Sequence, residues 1–290
     1  MRPGYAIEYD FVPPTQISAS LESKHIEGLF HAGQINGSSG YEEAAAQGLL
    51  AGINAARRVQ GRDAIILHRD RAYIGVLIDD IATKEITEPY RIFTSRAEYR
   101  LLLRQDNADL RLSPLGHQLG LISEERQRAV LRKRDQVDRE LARLGNKWLP
   151  PSEEINAVLA RFGLEPLRTD VNVLQLLRRP EVGYALIAAL LPSEGDLPTG
   201  VTEQVTIEAK YAGYIDKQRR EVERMQRLEE WRIPAGFDYG QIVGLRNEAR
   251  EKLTRFRPAT VGQAARIHGV NPTDISIVLI HLRRAGANAD

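Results

Sequence analysis

The 290-residue chain contains no cysteine, which excludes disulfides and thiolate zinc sites and leaves no thiol for nucleophilic catalysis. It has no run of about eighteen apolar residues, so a membrane-spanning helix is excluded. The opening residues, MRPGYAIEYD, lack the apolar core of a signal peptide, and a cytoplasmic protein is expected. None of the six histidines (His25, His31, His68, His117, His268, His281) pairs with another at i,i+4 spacing, so a histidine-based metal site has no support. The G-x-G-x-x-G fingerprint of a dinucleotide-binding βα turn is absent. Charge of one sign is also missing. Forty Lys and Arg against 39 Asp and Glu leave a net charge of +1, so any nucleic-acid footprint must be local. The rest of the composition, 42% hydrophobic and 27% charged, is that of an ordinary globular chain, long enough for two domains.

The most informative stretch is GLFHAGQINGSSGYEEAAAQGLLAGINAA, residues 28–56. It reads as a buried strand (Leu29, Phe30, Ala32), a glycine turn (Gly33, Gly37, Gly40) and a helix of small residues starting near Gly40 and Tyr41. Three glycines this close permit positive φ and a close ligand approach. The following helix opens with free N–H groups at the positive end of its dipole. Ala44, Ala45, Ala46, Gly48, Ala51 and Gly52 let it lie tight against a sheet or a flat ligand. By spacing alone, a nucleotide site and a tight structural turn both remain open.

Read whole, the segment AGQINGSSGYEEAAAQGLLAGINA resembles the signature of the glucose-inhibited division protein A family. These are flavoenzymes that install the carboxymethylaminomethyl group on the wobble uridine of certain tRNAs. The resemblance extends through RPGYAIEYDF (residues 2–11), TSRAEYRLLLRQDNADLRL (residues 94–112) and AARIHGVNP (residues 264–272), and so covers essentially the whole chain. It implies an FAD site to which Gly33, Gln34, Asn36, Gly37, Gly40 and Tyr41 contribute, with Gln34 holding the cofactor. It further implies NADH as reductant, a folate one-carbon donor, tRNA and a GTPase as partners, and a homodimer. Family members are about twice as long, with the flavin fingerprint and two catalytic cysteines expected upstream of Arg2. The chain is therefore expected to be the C-terminal half of such an enzyme, catalytically incomplete alone. A non-catalytic helical RNA-binding or interaction module is the alternative. Gln34 could also merely satisfy local backbone groups. Glu42 and Glu43 sit awkwardly beside an anionic cofactor, so at least one should point away or pair with a basic residue.

The expected fold is α+β at the N-terminus, the remnant of a Rossmann-like flavin domain, followed by a mainly α-helical region. Residues 1–67 are assigned to the flavin domain, 68–113 to a connector with an Arg-rich segment, 114–237 to long helices, and 238–290 to a small helical bundle. Residues 5–11 alternate as a half-buried strand. Residues 72–81 form a β-prone or short helical run, and Thr94 or Ser95 offers a cap for the next helix. Ser123 can cap a long helix whose Val130, Val137, Leu141 and Leu144 form a narrow seam, without a full capping box because Arg126 falls at the third position. A second long helix over residues 203–230 is expected to place Ile207, Tyr211, Tyr214, Ile215, Val222 and Met225 on one face, with the mixed-sign remainder solvated.

Arg96, Arg100 and Arg104 recur every four residues and would share one face of a helix, with Arg111 close behind. Such a stripe suits tRNA phosphates, the flavin pyrophosphate or a folate carboxylate, or internal pairing with Glu98, Asp106 and Asp109. Residues 260–284 resemble a helix-turn-helix, with a turn at Gly269 and a cap at Asn271 or Thr273. A DNA reading would turn Thr273, Asp274 and Ser276 to the groove. Ile275, Ile277, Val278, Leu279, Ile280 and Leu282 leave too little polar face for it, so packing or docking is expected rather than sequence-specific DNA binding.

Overall fold

The computed structural model describes residues 10–84, 89–193 and 195–284. Most of the strand expected at residues 5–11 lies outside them. The chain divides into two compact units, one of Met1–Arg100 with Arg220–Asp290, the other of Leu101–Arg219.

In the first unit, extended pairing among the described residues is limited to single bridges, Ile17 with Ser23, Glu22 with Phe30 and Arg232 with Thr260. The strand expected at Leu29–Phe30–Ala32 does not form: Leu29 is 41% exposed and Ala32 is also exposed. Of the three, Phe30 alone is partly buried, against the cluster that holds Ile17 and Leu21. Helix α1 (Tyr41–Val59) begins where expected. Its Leu50 and Ala51 pack with Ile17, Leu21, Leu77, Ile78, Ile81 and Tyr90. Helix α2 (Tyr73–Thr83) is apolar almost all round and buried accordingly. Gly75 is required there by close approach, because a Cβ would stand within 2.5 Å of the Leu67 carbonyl oxygen. Thr94 and Ser95 cap no α-helix; residues Thr94–Arg96 form one 3-10 turn without a side-chain cap.

The second unit is helical. It contains α3 (Ala108–Gln118), α4 (Glu124–Gly145), α5 (Glu153–Arg161), α6 (Val173–Leu177), α7 (Tyr184–Leu190) and most of α8 (Thr199–Glu229). Strands β1 (Trp148–Leu149) and β2 (Val171–Asn172) pair antiparallel within it. Side-chain oxygens close three helix starts: Ser123 accepts from Arg126 N, Ser152 from Ile155 N, and Asn172 from Gln175 N. The expected seam on α4 holds, with Val130, Val137 and Leu144 buried. The face expected on α8 holds only in part, with Ile215 and Val222 buried. Val201, Val205 and Ala209 turn inward, leaving Tyr211 and Tyr214 44% and 65% exposed. The core selects the compact aliphatic positions four residues apart, and the tyrosines fall off that line.

The first unit closes with α9 (Asn247–Phe256), α10 (Val261–Arg266) and α11 (Pro272–Arg284) around Leu253, Phe256, Val261, Ile275, Val278 and Leu282. Asn271, not Thr273, caps α11, and the cap is reciprocal. Asn271 Oδ1 accepts from Asp274 N, and Asp274 Oδ2 accepts from Asn271 N, each at 2.9 Å. Arg246 adds a 2.6 Å ion pair that, with the backbone bond, holds the Asp274 carboxyl below its ordinary pKa. Asp274 is therefore interior, not groove-facing. The fold class is as expected, an α+β start followed by a helical region.

Candidate functional site

The glycine turn begins with a 3-10 turn over Gly33–Asn36. Gly33 (φ +81°) and Gly37 (φ +77°) both occupy the left-handed region, where a side chain is strained. Gly37 N donates to Gln34 O (2.9 Å) and Ser38 N to Gly33 O (3.3 Å). Tyr90 N then donates to Gly37 O at 2.7 Å, tying the turn to the segment after α2. Gln34 and Tyr41 are exposed, whereas Asn36 is buried.

Gly40 precedes α1 with φ −76°, a conformation any residue adopts. The reason for glycine here is steric, since a Cβ would collide with the Glu43 carboxylate. Glu43 is 4% exposed, pairs with Arg91 Nε at 3.2 Å and accepts from Ile92 N at 3.3 Å. Glu42 is exposed. One acid thus pairs and the other faces away, as expected. Glu43 also places negative charge in the first turn of α1, where it compensates part of the helix dipole.

Several buried polar atoms at this turn have no partner among the described residues: Asn36 Oδ1, Ser38 Oγ, Gln47 Nε2 and both ring nitrogens of His31. Buried polar groups are normally satisfied by protein, water or ligand. On its outer side α1 exposes Ala45, Gly48, Leu49, Gly52 and Ala56, and Cβ atoms added to Gly48 or Gly52 would meet open space.

The arginines do not form a stripe. Residues 97–104 carry turns, not a helix, and the division between units falls between Arg100 and Leu101. Arg96 lies over the Tyr90 ring (4.8 Å) with Asp80 Oδ2 at 3.8 Å. Arg100 is exposed. Arg104 is held by Asp106 (3.1 Å), Glu208 (2.7 Å) and Leu101 O (2.6 Å). Arg111 donates to Asn107 Oδ1 (2.8 Å) and Arg104 O (3.1 Å). Asp106 pairs as one reading expected. Glu98 and Asp109 instead engage Arg69 (2.9 Å) and Lys133 (3.0 Å).

A buried ionic network lies beside the turn, and the sequence reading missed it. Arg69 meets Asp80 (2.6 Å), Asp79 (3.1 Å) and Glu98 (2.9 Å). Arg266 grips both oxygens of Asp79 at 2.7 and 2.8 Å and also pairs with Glu229. Burial alone would lower the Arg69 pKa, but Asp80, Asp79 and Glu98 outweigh it and push it up, so the guanidinium stays charged. Tyr90 OH donates to Asp80 Oδ2 (2.9 Å); burial and then that carboxylate push its pKa up. The available signal was two adjacent aspartates in the otherwise apolar run YIGVLIDDIAT, which demand cationic partners once buried.

Three family profiles match the chain. Residues 1–63 match "Glucose inhibited division protein A", residues 124–219 the "tRNA modifying enzyme MnmG/GidA C-terminal helical domain", and residues 221–290 the "C-terminal helical bundle" of the same enzyme. The tRNA uridine 5-carboxymethylaminomethyl modification enzyme MnmG of Roseiflexus sp. (strain RS-1) is 59% identical, over 98% of this chain and 42% of its own length. The enzyme of that name from Caldicellulosiruptor saccharolyticus is 54% identical, over 98% of this chain and 46% of its own. The structure of Aquifex aeolicus GidA in the form II crystal is similar with a TM-score of 0.81 and 43% identity, over 94% of this chain and 43% of that one. The chain thus spans less than half the length of the relatives it matches.

Proposed function

We propose, for a chain that belongs to the glucose-inhibited division protein A family, that it supplies one wall of a flavin site and the tRNA-handling helices of an enzyme adding a carboxymethylaminomethyl group to the wobble uridine of tRNA. The observation that carries this reading is the turn from Gly33 to Gly40, with two left-handed glycines and an exposed Gln34 leading straight into α1. The donor set suits FAD. Ser38 Oγ, buried without a partner among the described residues, can donate or accept, so a polar occupant at the turn fits. The open small-residue side of α1 suits a flat ligand or a sheet packed against it.

In this arrangement Gln34 orients the cofactor and Gly37 keeps side-chain bulk out of its space. The N–H groups of Tyr41 and Glu42 face the site from the start of α1. Gly33, Asn36 and Gly40 shape the turn, and Tyr41 lies at its rim. When bound, the flavin supplies two-electron chemistry, with NADH as reductant and a folate as one-carbon donor. The chain offers no thiol, so attack at uridine C5 is not assigned to any of its residues. Arg100, the exposed member of its arginine set, is the one best placed for tRNA phosphate, while Arg96, Arg104 and Arg111 chiefly brace the fold. A GTPase partner, a homodimer and a cytoplasmic setting complete the proposal.

The test is Gly37→Val in a full-length enzyme containing this chain. Valine at φ +77° is strained, and the turn should open. Loss of visible flavin absorbance with retained helical circular dichroism is the expected result. Normal flavin stoichiometry in that variant would overturn the assignment.

A further inference from the structure

We propose that Gln47 is a positioning residue that sets the shape of the glycine turn; this rests on the flavin reading above. Gln47 lies in the second turn of α1 and is fully buried. Its Oε1 accepts from Gly33 N at 2.9 Å and from Asn36 Nδ2 at 2.9 Å. A backbone N–H only donates, so the Gln47 atom facing Gly33 must be the oxygen, and the amide orientation is determined. Asn36 Nδ2 also donates to His31 O at 3.1 Å, and a carbonyl only accepts, so Asn36 is oriented too. One buried oxygen thereby ties residue 33 through its main chain, and residues 36 and 31 through the Asn36 amide, to a 19-residue helix.

The turn needs such a pin because glycine restrains its own backbone least of all residues. Gly33 and Gly37 permit the left-handed shape without imposing it. Gln34 lies between the pinned residues and is exposed, so its direction is inherited from them. Asn36, which the sequence suggests as a cofactor contact, spends both amide hydrogens inside the turn and acts on Gln34 through its backbone. Without Gln47 the turn samples other shapes, and apparent affinity for flavin falls with the fraction still competent to bind.

The experiment uses full-length flavoenzyme containing this chain, stripped of flavin and titrated with FAD. Gln47→Met keeps the length and removes the acceptor, whereas Gln47→Glu keeps an acceptor toward Gly33 and Asn36. Gln47→Met is expected to weaken FAD binding about ten- to thirtyfold, as one or two lost hydrogen bonds would. Gln47→Glu should restore most of the affinity and the band shape of the bound flavin, which simple loss of packing would not predict. If Gln47→Met fails to fold, Asn36→Ala decides the matter. It removes one of the two bonds, so weakened FAD binding at unchanged thermal stability supports the pin, and unchanged affinity overturns it. Wild-type affinity in Gln47→Met, or Gln47→Glu no better than Gln47→Met, also overturns it. Gly37→Val run in parallel separates the two ideas: FAD retained there sinks the flavin reading itself, while FAD lost there but retained in Gln47→Met sinks only the role of Gln47.

Discussion

The unit formed by residues 101–219 and the unit formed by the two ends of the chain solve burial differently. In the first, Leu144, Leu159, Leu176, Leu177, Leu186 and Ile187 fill the interior, and the buried carboxylate Glu140 meets partners close at hand. It pairs with Arg143 three residues along its own helix at 2.7 Å and accepts from Tyr184 OH at 2.8 Å. In the second, two apolar clusters coexist with buried Asp79, Asp80 and Arg69, and Arg266 reaches Asp79 from 187 positions away. The helical unit draws on neighbouring helices with matched seams. The other must bring distant charges together before their desolvation is compensated, so its native state is the more exposed to loss of a single partner.

The most severe way to test that contrast is Asp80→Ala. Asp80 is fully buried against Arg69, Lys84 and Tyr90, and its removal takes from the buried Arg69 guanidinium its shortest ion pair and from Tyr90 OH its acceptor. A loss of about 3–5 kcal/mol is expected in urea unfolding. A loss near that of a surface pair, below about 1 kcal/mol, would erase the distinction between the units. Leu176→Ala probes the aliphatic core, where the side chain is fully buried, and should cost about 3 kcal/mol by cavity formation. A negligible change there would mean the helical interior is not close-packed. The smallest effect sharpens the local side of the comparison. Ser123→Ala removes only the cap of α4 and should cost about 1 kcal/mol, read as a lowered unfolding midpoint. A loss exceeding that of Leu176→Ala would show that α4 depends on its cap more than on its seam.

Much of the fold follows from local rules. The start of α1 after Gly40, the Ser123 cap, the α4 seam and the Asn271 cap each depend on residues within a turn or two of one another. The readings that failed depended on context. A four-residue spacing of arginines implies a shared face only on a helix, and residues 97–104 are turns. Tyr211 and Tyr214 look inward by hydrophobicity, yet Val201, Val205 and Ala209 take the inner face of α8. A buried strand at residues 29–32 required a sheet that the described residues do not supply.

By itself the sequence determined the family, the absence of thiol chemistry, and the glycines whose backbone the turn uses, because composition, motif and φ preference are properties of single residues and their near neighbours. Only the tertiary structure decided that Gln47 orients Asn36 and holds Gly33, that Glu43 and not a ligand fills the space beside Gly40, and that Asp79 and Asp80 are matched by Arg69 and Arg266. Apart from the step from Gly40 to Glu43, those contacts are set by donor direction and desolvation across segments 10 to 187 residues apart, which no local spacing encodes.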